Sequence, residues 1–404
     1  MSESQNSLPA LNRLLLGSAF ALLCLGFIMV TSASMAIAEN NAGGNTFYFI
    51  IRHGISIVIA LCVAVTVYQV PMKVWERSSA ALFFAALLML IAVLIFGDKI
   101  NGSKRWLNLG VLNLQPSEIA KIFILIYLSS FIVRKQAEIR RQWMGIIKPI
   151  VILFVPAVLL LLEPDFGSLV VLSVAAFVMI FMGGVRVSYF LLLMISGGAA
   201  FYGILMTQSY RIQRMVAFLD PWGNQFGSAY QLIQSLIAYG RGSWLGQGYG
   251  NSVQKLFYLP EAHTDFLIAV LAEEFGLIGI SFVILLFVVL ILSIFFIARA
   301  AEKRQACFSA YLGYGLGAMI GVQSLFNMGV SMGLLPTKGL TLPLMSYGGS
   351  SLLATCVILA IVLRVHKENK QIIDRSNGRE KPRRNLKPVI AGRPHVSAQS
   401  EMAA

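Results

Sequence analysis

The chain has 404 residues, of which 57% are hydrophobic and only 12% charged, with mean hydropathy +0.75 and formal net charge +14. A soluble domain carries about twice that share of charge, which excludes an ordinary soluble protein. The apolar runs are too long and too unalternating for a transmembrane barrel, so the expected fold class is all-α, a polytopic membrane protein.

In chain order, a short polar leader precedes an apolar run from about Leu14 to Val30. The small residues after it (Ser32, Ala33, Ser34, Ala36, Ala38) resemble a cleavage site, but the run exceeds a signal h-region and reads as an uncleaved first span. Further spans are predicted near 47–69, 78–97, 116–133, 148–162, 167–184, 188–206, 266–298, 307–332 and 344–364, about ten in all. The eighth is longer than a bilayer needs, so its first turns stand out of the membrane or line a cavity. With both termini inside, the cytoplasmic segments hold most of the 32 Lys and Arg, notably the loop RKQAEIRRQWMGIIK and the C-terminal tail. The expected organisation is a transmembrane domain over 1–366 and a basic, disordered cytoplasmic tail over 367–404. The tail faces anionic membrane lipids, and with no aromatic platform or binding motif it is not a nucleic-acid binder. Cys24, Cys62, Cys307 and Cys356 show no CxxC or metal spacing and read as buried small hydrophobes.

This topology leaves the unusual segments on the outer side. Segment 98–117 leads into a span that starts with Glu118 and Lys121, spaced i,i+3 on one face: either a self-satisfied pair or a pair facing a polar cavity. Glu163-Pro164-Asp165-Phe166-Gly167 puts two acids in a short outer turn, which turn chemistry alone also explains. A long outer loop, 207–263, separates spans 7 and 8. In it Arg211 and Arg214 either bind phosphate or snorkel to the interface. Ser228 to Ala238 reads as an amphipathic helix with Gln231, Gln234 and Ser235 on one face. Gly240, Gly242, Gly246, Gly248 and Gly250 then form a loop where backbone can approach a ligand closely.

The richest stretch, QKLFYLPEAHTDFLIAVLAEEFG over 254–276, packs Glu261, His263, Asp265, Glu273 and Glu274 around the start of a membrane helix. Carboxylates there need a cation, a metal, water or a substrate; Asp265 in the first turn also complements the helix dipole. Downstream, Lys338 in PTKGLTLP and Ser350 in SYGGSS break the outer ends of the last two spans. Gathered acids, cations and a glycine loop suit a lipid-pyrophosphate substrate reached from the bilayer. No HExxH, GxSxG or Walker motif accompanies them, while a transport pathway stays open as a reading.

Three stretches carry a resemblance: KRWLNLGVLNLQPSEIAK, QSLIAYGRGSWLGQGYGNSVQKLFYLPEAHTDFLIAVLAEEFGLIG and PTKGLTLPLMSYGGSS. Together they resemble the SEDS family (shape, elongation, division and sporulation) over roughly 12–366, with LPEAHTDF and PTKGLTLP like the division-type branch. The resemblance implies a peptidoglycan glycosyltransferase of the bacterial inner membrane that polymerises lipid II at the division septum, on the outer face. It implies a class B penicillin-binding protein transpeptidase and other divisome membrane proteins as partners. The family's essential aspartate falls on Asp265, and the acid and lysine facing it on Glu118 and Lys121. Arg211, Arg214, Gln231, Gln234, Ser235, Glu261, His263, Lys338 and Ser350 are the expected substrate contacts. A divalent cation, Mg or Mn, is an open cofactor, with Asp265 a possible ligand. On this reading Asp265, held by Lys121, is the general base and undecaprenyl pyrophosphate leaves with inversion. A lipid II flippase and a non-catalytic divisome scaffold remain the alternatives.

Overall fold

The computed structural model describes residues 3–41, 46–100, 103–108, 113–206, 209–227, 229–336 and 339–376. The chain opens with a 39-residue helix, α1 (Glu3–Asn41), which runs straight through the small-residue stretch. Ser32 and Ala33 are buried within it, because they pack against the core instead of ending the span. Next come α2 (Tyr48–Gln69), the short α3 (Met72–Arg77) and α4 (Ser79–Phe96). The central α5 (Pro116–Arg134) follows, with Pro116 at its first turn, where a missing N–H costs nothing.

Then run α6 (Gln136–Arg141), α7 (Met144–Leu162), α8 (Phe166–Met182) and α9 (Val187–Met206). The long outer segment holds α10 (Ser209–Leu219) and α11 (Tyr230–Gly242); α12 (Leu267–Glu302), α13 (Cys307–Ser331) and α14 (Gly349–Ser376) complete the chain.

Each predicted span has a helix in its place. Among the described residues, seven helices are long and apolar enough to cross a membrane: α1, α2, α4, α5, α7, α12 and α14. α8 and the start of α9 are apolar but shorter. α13 is long enough, but carries Gln323, Ser324 and Asn327 and a row of glycines. Those glycines seat it closely: a Cβ on Gly313 would meet Ala298, and one on Gly315 would meet Met179. α5 and α13 form the buried centre, while α2 and α4 leave broad apolar faces outward.

Two expectations need correction. The fold is not purely helical: segment 98–117 contains a three-stranded antiparallel sheet, β1 (Asp98–Ile100), β2 (Ser103–Asn108) and β3 (Asn113–Leu114). Asp98 pairs with Trp106 and Leu107 with Leu114. The dipeptide Asn101-Gly102 between the first two strands is a hairpin signal that a hydropathy reading passes over. The expected tail boundary after residue 366 falls inside α14, whose C-terminal turns are held by the core. Asn369 donates to the Ile297 carbonyl at 3.3 Å, and Arg364 pairs with Glu368 at 2.8 Å.

The overlong eighth span is broken. Gly276 in α12 has φ +64° and ψ −161°, splitting the helix into an outer piece and a membrane-crossing piece. A broken helix frees backbone groups that lipid cannot satisfy. Loop 243–248 satisfies them: Gln247 N donates to Glu273 O at 2.9 Å and Gly248 N to Glu274 O at 3.0 Å. In return Leu277 N donates to Ser243 O at 3.0 Å and Ile278 N to Trp244 O at 3.3 Å.

Candidate functional site

Asp265 stands two residues before α12, half-buried, at the point where three segments meet. Asn327 of α13 fixes its backbone, donating from Nδ2 to Asp265 O at 2.7 Å and to Leu340 O at 2.5 Å. The carboxylate lies against Gly339, where a Cβ would come within 2.6 Å of Asp265 Oδ2, so only glycine permits this approach. Burial, then the negative charge of Glu261, pushes Asp265 up to about 7, with Arg105 and Arg214 pulling the other way.

Facing it is a second group built from the outer ends of α5 and α8. Lys121 is fully buried and held by Glu118 at 2.8 Å, confirming the i,i+3 pair. Asp165 caps α8, accepting from Ser168 N at 3.2 Å, from Ser117 Oγ at 2.8 Å and from Gln115 Nε2 at 3.2 Å. Burial alone would raise Asp165, but Arg105, the Ser168 and Ser117 donors and Lys121 together hold it below the usual carboxylate range. Its neighbour Glu163 also feels Arg105 but has no hydrogen-bond donor. Both its oxygens are buried without a partner, and burial, then Asp165, pushes it up to about 8.

Arg105 of β2 joins the two groups. Its guanidinium donates to the Glu163 and Pro164 carbonyls, and its charge acts on Glu163, Asp165 and Asp265 alike. Among the described residues no hydrogen bond or ion pair joins Lys121 to Asp265, and the cations acting on Asp265 are Arg105 and Arg214. Sequence reading missed Arg105. The available signal was a basic residue in an outer segment leading directly into the acid- and lysine-bearing helix. It took Glu163 and Asp165 as turn residues, and the Asp165 cap agrees with that in part.

The other two carboxylates of the 254–276 stretch are held by the chain. Glu273 is fully buried and accepts from Ser252 Oγ at 2.6 Å, Val253 N at 3.1 Å and Gln254 N at 3.2 Å, with Arg241 at 3.0 Å. Glu274 binds Lys255 at 2.8 Å and Ser32 at 2.6 Å. These two acids thus staple the loop and α1 to the outer piece of α12.

Two glycines of the loop approach backbone closely. A Cβ on Gly242 would lie 1.9 Å from Ala272 O, and one on Gly246 would lie 2.2 Å from Glu274 O. Ser235 is buried and donates to Ser331 O at 2.7 Å. Ser350 Oγ is occupied between Gln115 N at 2.9 Å and Asn113 O at 3.0 Å. His263 lies among Phe49 at 4.9 Å and Tyr347 at 5.5 Å between ring centres, and burial lowers its pKa against the pull of Glu261.

Glu261 is exposed, at φ +57°, and accepts from Thr264 Oγ1 at 2.6 Å. Gln231 and Gln234 are half-buried on α11, and Arg214 is exposed on α10. The side chain of Arg211, and Lys338 altogether, lie outside the described residues.

A poised carboxylate beside a cation-braced acid cluster and a broken helix defines a class: a helical, polytopic membrane protein with a candidate site where its helices end. The family model for FtsW, RodA and SpoVE, described as "Cell cycle protein", matches residues 12–371, and the chain belongs to that family, the SEDS family. It is 50% identical over 366 residues to the "Probable peptidoglycan glycosyltransferase FtsW" of Nitrosococcus halophilus, covering 90% of this chain and 94% of the relative. It is also 50% identical over 358 residues to the protein of the same name from Hahella chejuensis, covering 88% and 89%.

Among solved structures it is similar to a chain of a peptidoglycan synthase complex that coordinates polymerization and crosslinking. The TM-score there is 0.73 at 28% identity, covering 88% of this chain and 98% of that one. It is also similar to the rod shape determining protein RodA of Thermus thermophilus, with TM-score 0.64 at 26% identity, covering 88% and 96%.

Proposed function

We propose that this chain is a septal peptidoglycan glycosyltransferase, polymerising lipid II into glycan strands during cell division. The observation that carries the reading is Asp265: a half-buried carboxylate held near pH 7, with Arg105 and Arg214 acting on it from nearby. A general base works best with a pKa near the operating pH, and a diphosphate leaving group needs cations more than it needs a proton. The names of the relatives at 50% identity support the same activity.

In the reaction Asp265 takes the proton of the GlcNAc 4-hydroxyl on one lipid-linked disaccharide. The freed oxygen bonds to the anomeric carbon of the other chain's MurNAc. The bond from that carbon to phosphate breaks, and undecaprenyl pyrophosphate leaves with its charge met by Arg105 and Arg214, with Arg211 as a further candidate. Attack opposite the leaving group inverts an α-linked donor to a β-linked product. Glu118, Lys121 and Asp165 act as positioning residues that fix the acid cluster around Arg105. Among the described residues no three of His, Cys, Asp or Glu come together as a metal site, so no step is routed through the expected divalent cation.

The wider reading has ten membrane crossings, both termini inside, and the site on the periplasmic side of the inner membrane at the septum. A class B penicillin-binding protein is the proposed cross-linking partner, supported by the likeness to a chain of a synthase complex. The test is polymer formation on defined lipid II by purified protein with its partner. Asp265→Asn is expected to lower polymerisation by about 10²–10⁴-fold while lipid II binding changes little. Full polymer yield from folded Asp265→Asn would overturn the mechanism; translocation with no polymer from wild type would favour a flippase.

A further inference from the structure

A cavity lies away from Asp265, between the N-terminal half of α1, the C-terminal half of α2 and the C-terminal half of α14, and nothing in the proposed reaction uses it. Its volume is about 1010 Å³. The walls are aliphatic and aromatic: Leu16, Phe20 and Leu23 of α1, Leu61 and Val65 of α2, and Leu359 and Leu363 of α14 among them. Several of these side chains face outward in the isolated protein, Phe20 at 70% exposure and Val65 at 59%.

The mouth has a different chemistry. Arg13, Lys367 and Lys370 line it together with Asp374, and Lys367 Nζ is set 4.9 Å over the Tyr68 ring. Two polar atoms along the wall are buried without a partner, Asn12 Oδ1 and His366 Nδ1, and His366 is only 7% exposed. An apolar trough alone would be filled by any lipid tail. One ending in three cations calls for a ligand with a negative head.

The dimensions name the leaflet. Arg13 and Leu23 are ten residues apart on α1, a rise of about 15 Å at 1.5 Å per residue. That is half of the roughly 30 Å hydrocarbon core, the depth of one leaflet. All three helices turn their basic or polar ends the same way: α1 toward its start, α2 toward Tyr68 and α14 toward its C-terminal turns.

We infer that this groove is a binding site for an anionic glycerophospholipid of the cytoplasmic leaflet, its acyl chain along α1, α2 and α14 and its phosphate at Arg13, Lys367 and Lys370. The leaflet assignment rests on the proposed inside orientation of both termini; the binding itself does not. A bound lipid would lie along α2 and α14, which already pack together, and would tie α1 to α14, which it otherwise barely meets.

The experiment is native mass spectrometry of the full-length protein in detergent, titrated with phosphatidylglycerol or phosphatidylcholine, and it reads neither orientation nor polymer synthesis. Phosphatidylglycerol is expected to be retained at least about tenfold more tightly. That preference should vanish in Arg13→Gln/Lys367→Gln/Lys370→Gln. Ala360→Trp, which fills the groove and leaves every charge in place, should also lose the retained lipid. Equal retention of the two lipids by wild type would overturn the site. So would undiminished phosphatidylglycerol binding in Ala360→Trp, since attraction to surface charge alone would then suffice. Folding of each variant is checked by its elution profile and melting temperature, and the wild-type comparison decides the question should a variant fail to fold.

Discussion

Replacing Gly276 by alanine should loosen the outer piece of α12 and with it the proposed base. The backbone there, at φ +64° and ψ −161°, lies in a region essentially restricted to glycine, and a side chain costs about 1–3 kcal/mol on that ground alone. A Cβ would also sit 2.5 Å from Gly246 N and 2.6 Å from Trp244 O, so loop 243–248 must back away. Four backbone hydrogen bonds span that junction, and losing two at ~1 kcal/mol each brings the local cost to about 3–5 kcal/mol. Each 1.4 kcal/mol is tenfold, so amides 246–248 and 277–278 should exchange with deuterium faster by about two to three orders of magnitude. Hydrogen-exchange mass spectrometry in nanodiscs reads this directly. Polymerisation should fall as well, since a misplacement of about 1 Å can cost 10²-fold. Gly240→Ala is the control: nothing lies within 4 Å of its Cβ, and inside α11 the change should stabilise by ~0.5–1 kcal/mol. Unchanged protection at the junction in Gly276→Ala would refute the reasoning.

The remaining expectations concern charge. Polymerisation should rise with pH through about 7 as Asp265 loses its proton, and Glu261→Gln, which removes a like charge, should move that limb to lower pH; a pH–rate profile of both proteins checks it. Glu163 has its folded pKa raised from 4.5 to about 8, so its contribution to stability is present below pH 4.5 and lost as pH climbs toward 8. Glu163→Gln should therefore melt like wild type near pH 4 and progressively higher than wild type up to pH 8, by differential scanning fluorimetry. Lys121→Met leaves Glu118 buried and unpaired, at a cost of ~3–5 kcal/mol. Glu118→Met/Lys121→Met should recover most of that melting temperature while polymerisation stays low, and recovery of both would reduce the pair to a packing role.

The membrane helices were legible because hydropathy is a local property: each helix that crosses is a long apolar run whatever its neighbours are. The length anomaly of α12 was equally visible, and its explanation, a glycine-permitted break, is local too. Partnerships were not legible, because they depend on which segments the fold brings together. Lys121 had a candidate partner in Glu118 three residues away and another in Asp265 more than a hundred residues on, and only packing selects the first. Arg105 sits on a strand that hydropathy has no means of finding, so its reach to Glu163, Asp165 and Asp265 could not be read.

The cluster of acids over 261–274 shows where such reading stops. An acid in an apolar stretch demands a partner, but the demand is met equally well by the chain or by a ligand. Glu273 and Glu274 lie on the outer piece of α12, against a loop offering the N–H groups of Val253 and Gln254, the Ser252 hydroxyl and Lys255; the chain meets their demand but for Glu274 Oε2. Asp265 lies before the helix, its carboxylate packed so closely on Gly339 that a Cβ there would come within 2.6 Å of Oδ2, and among the described residues no side-chain hydrogen bond reaches that carboxylate. The two cases have the same residue chemistry and differ in what stands opposite. In one it is a loop made of donors, and in the other a glycine with no side chain to donate, which is why the proposed chemistry is assigned to Asp265.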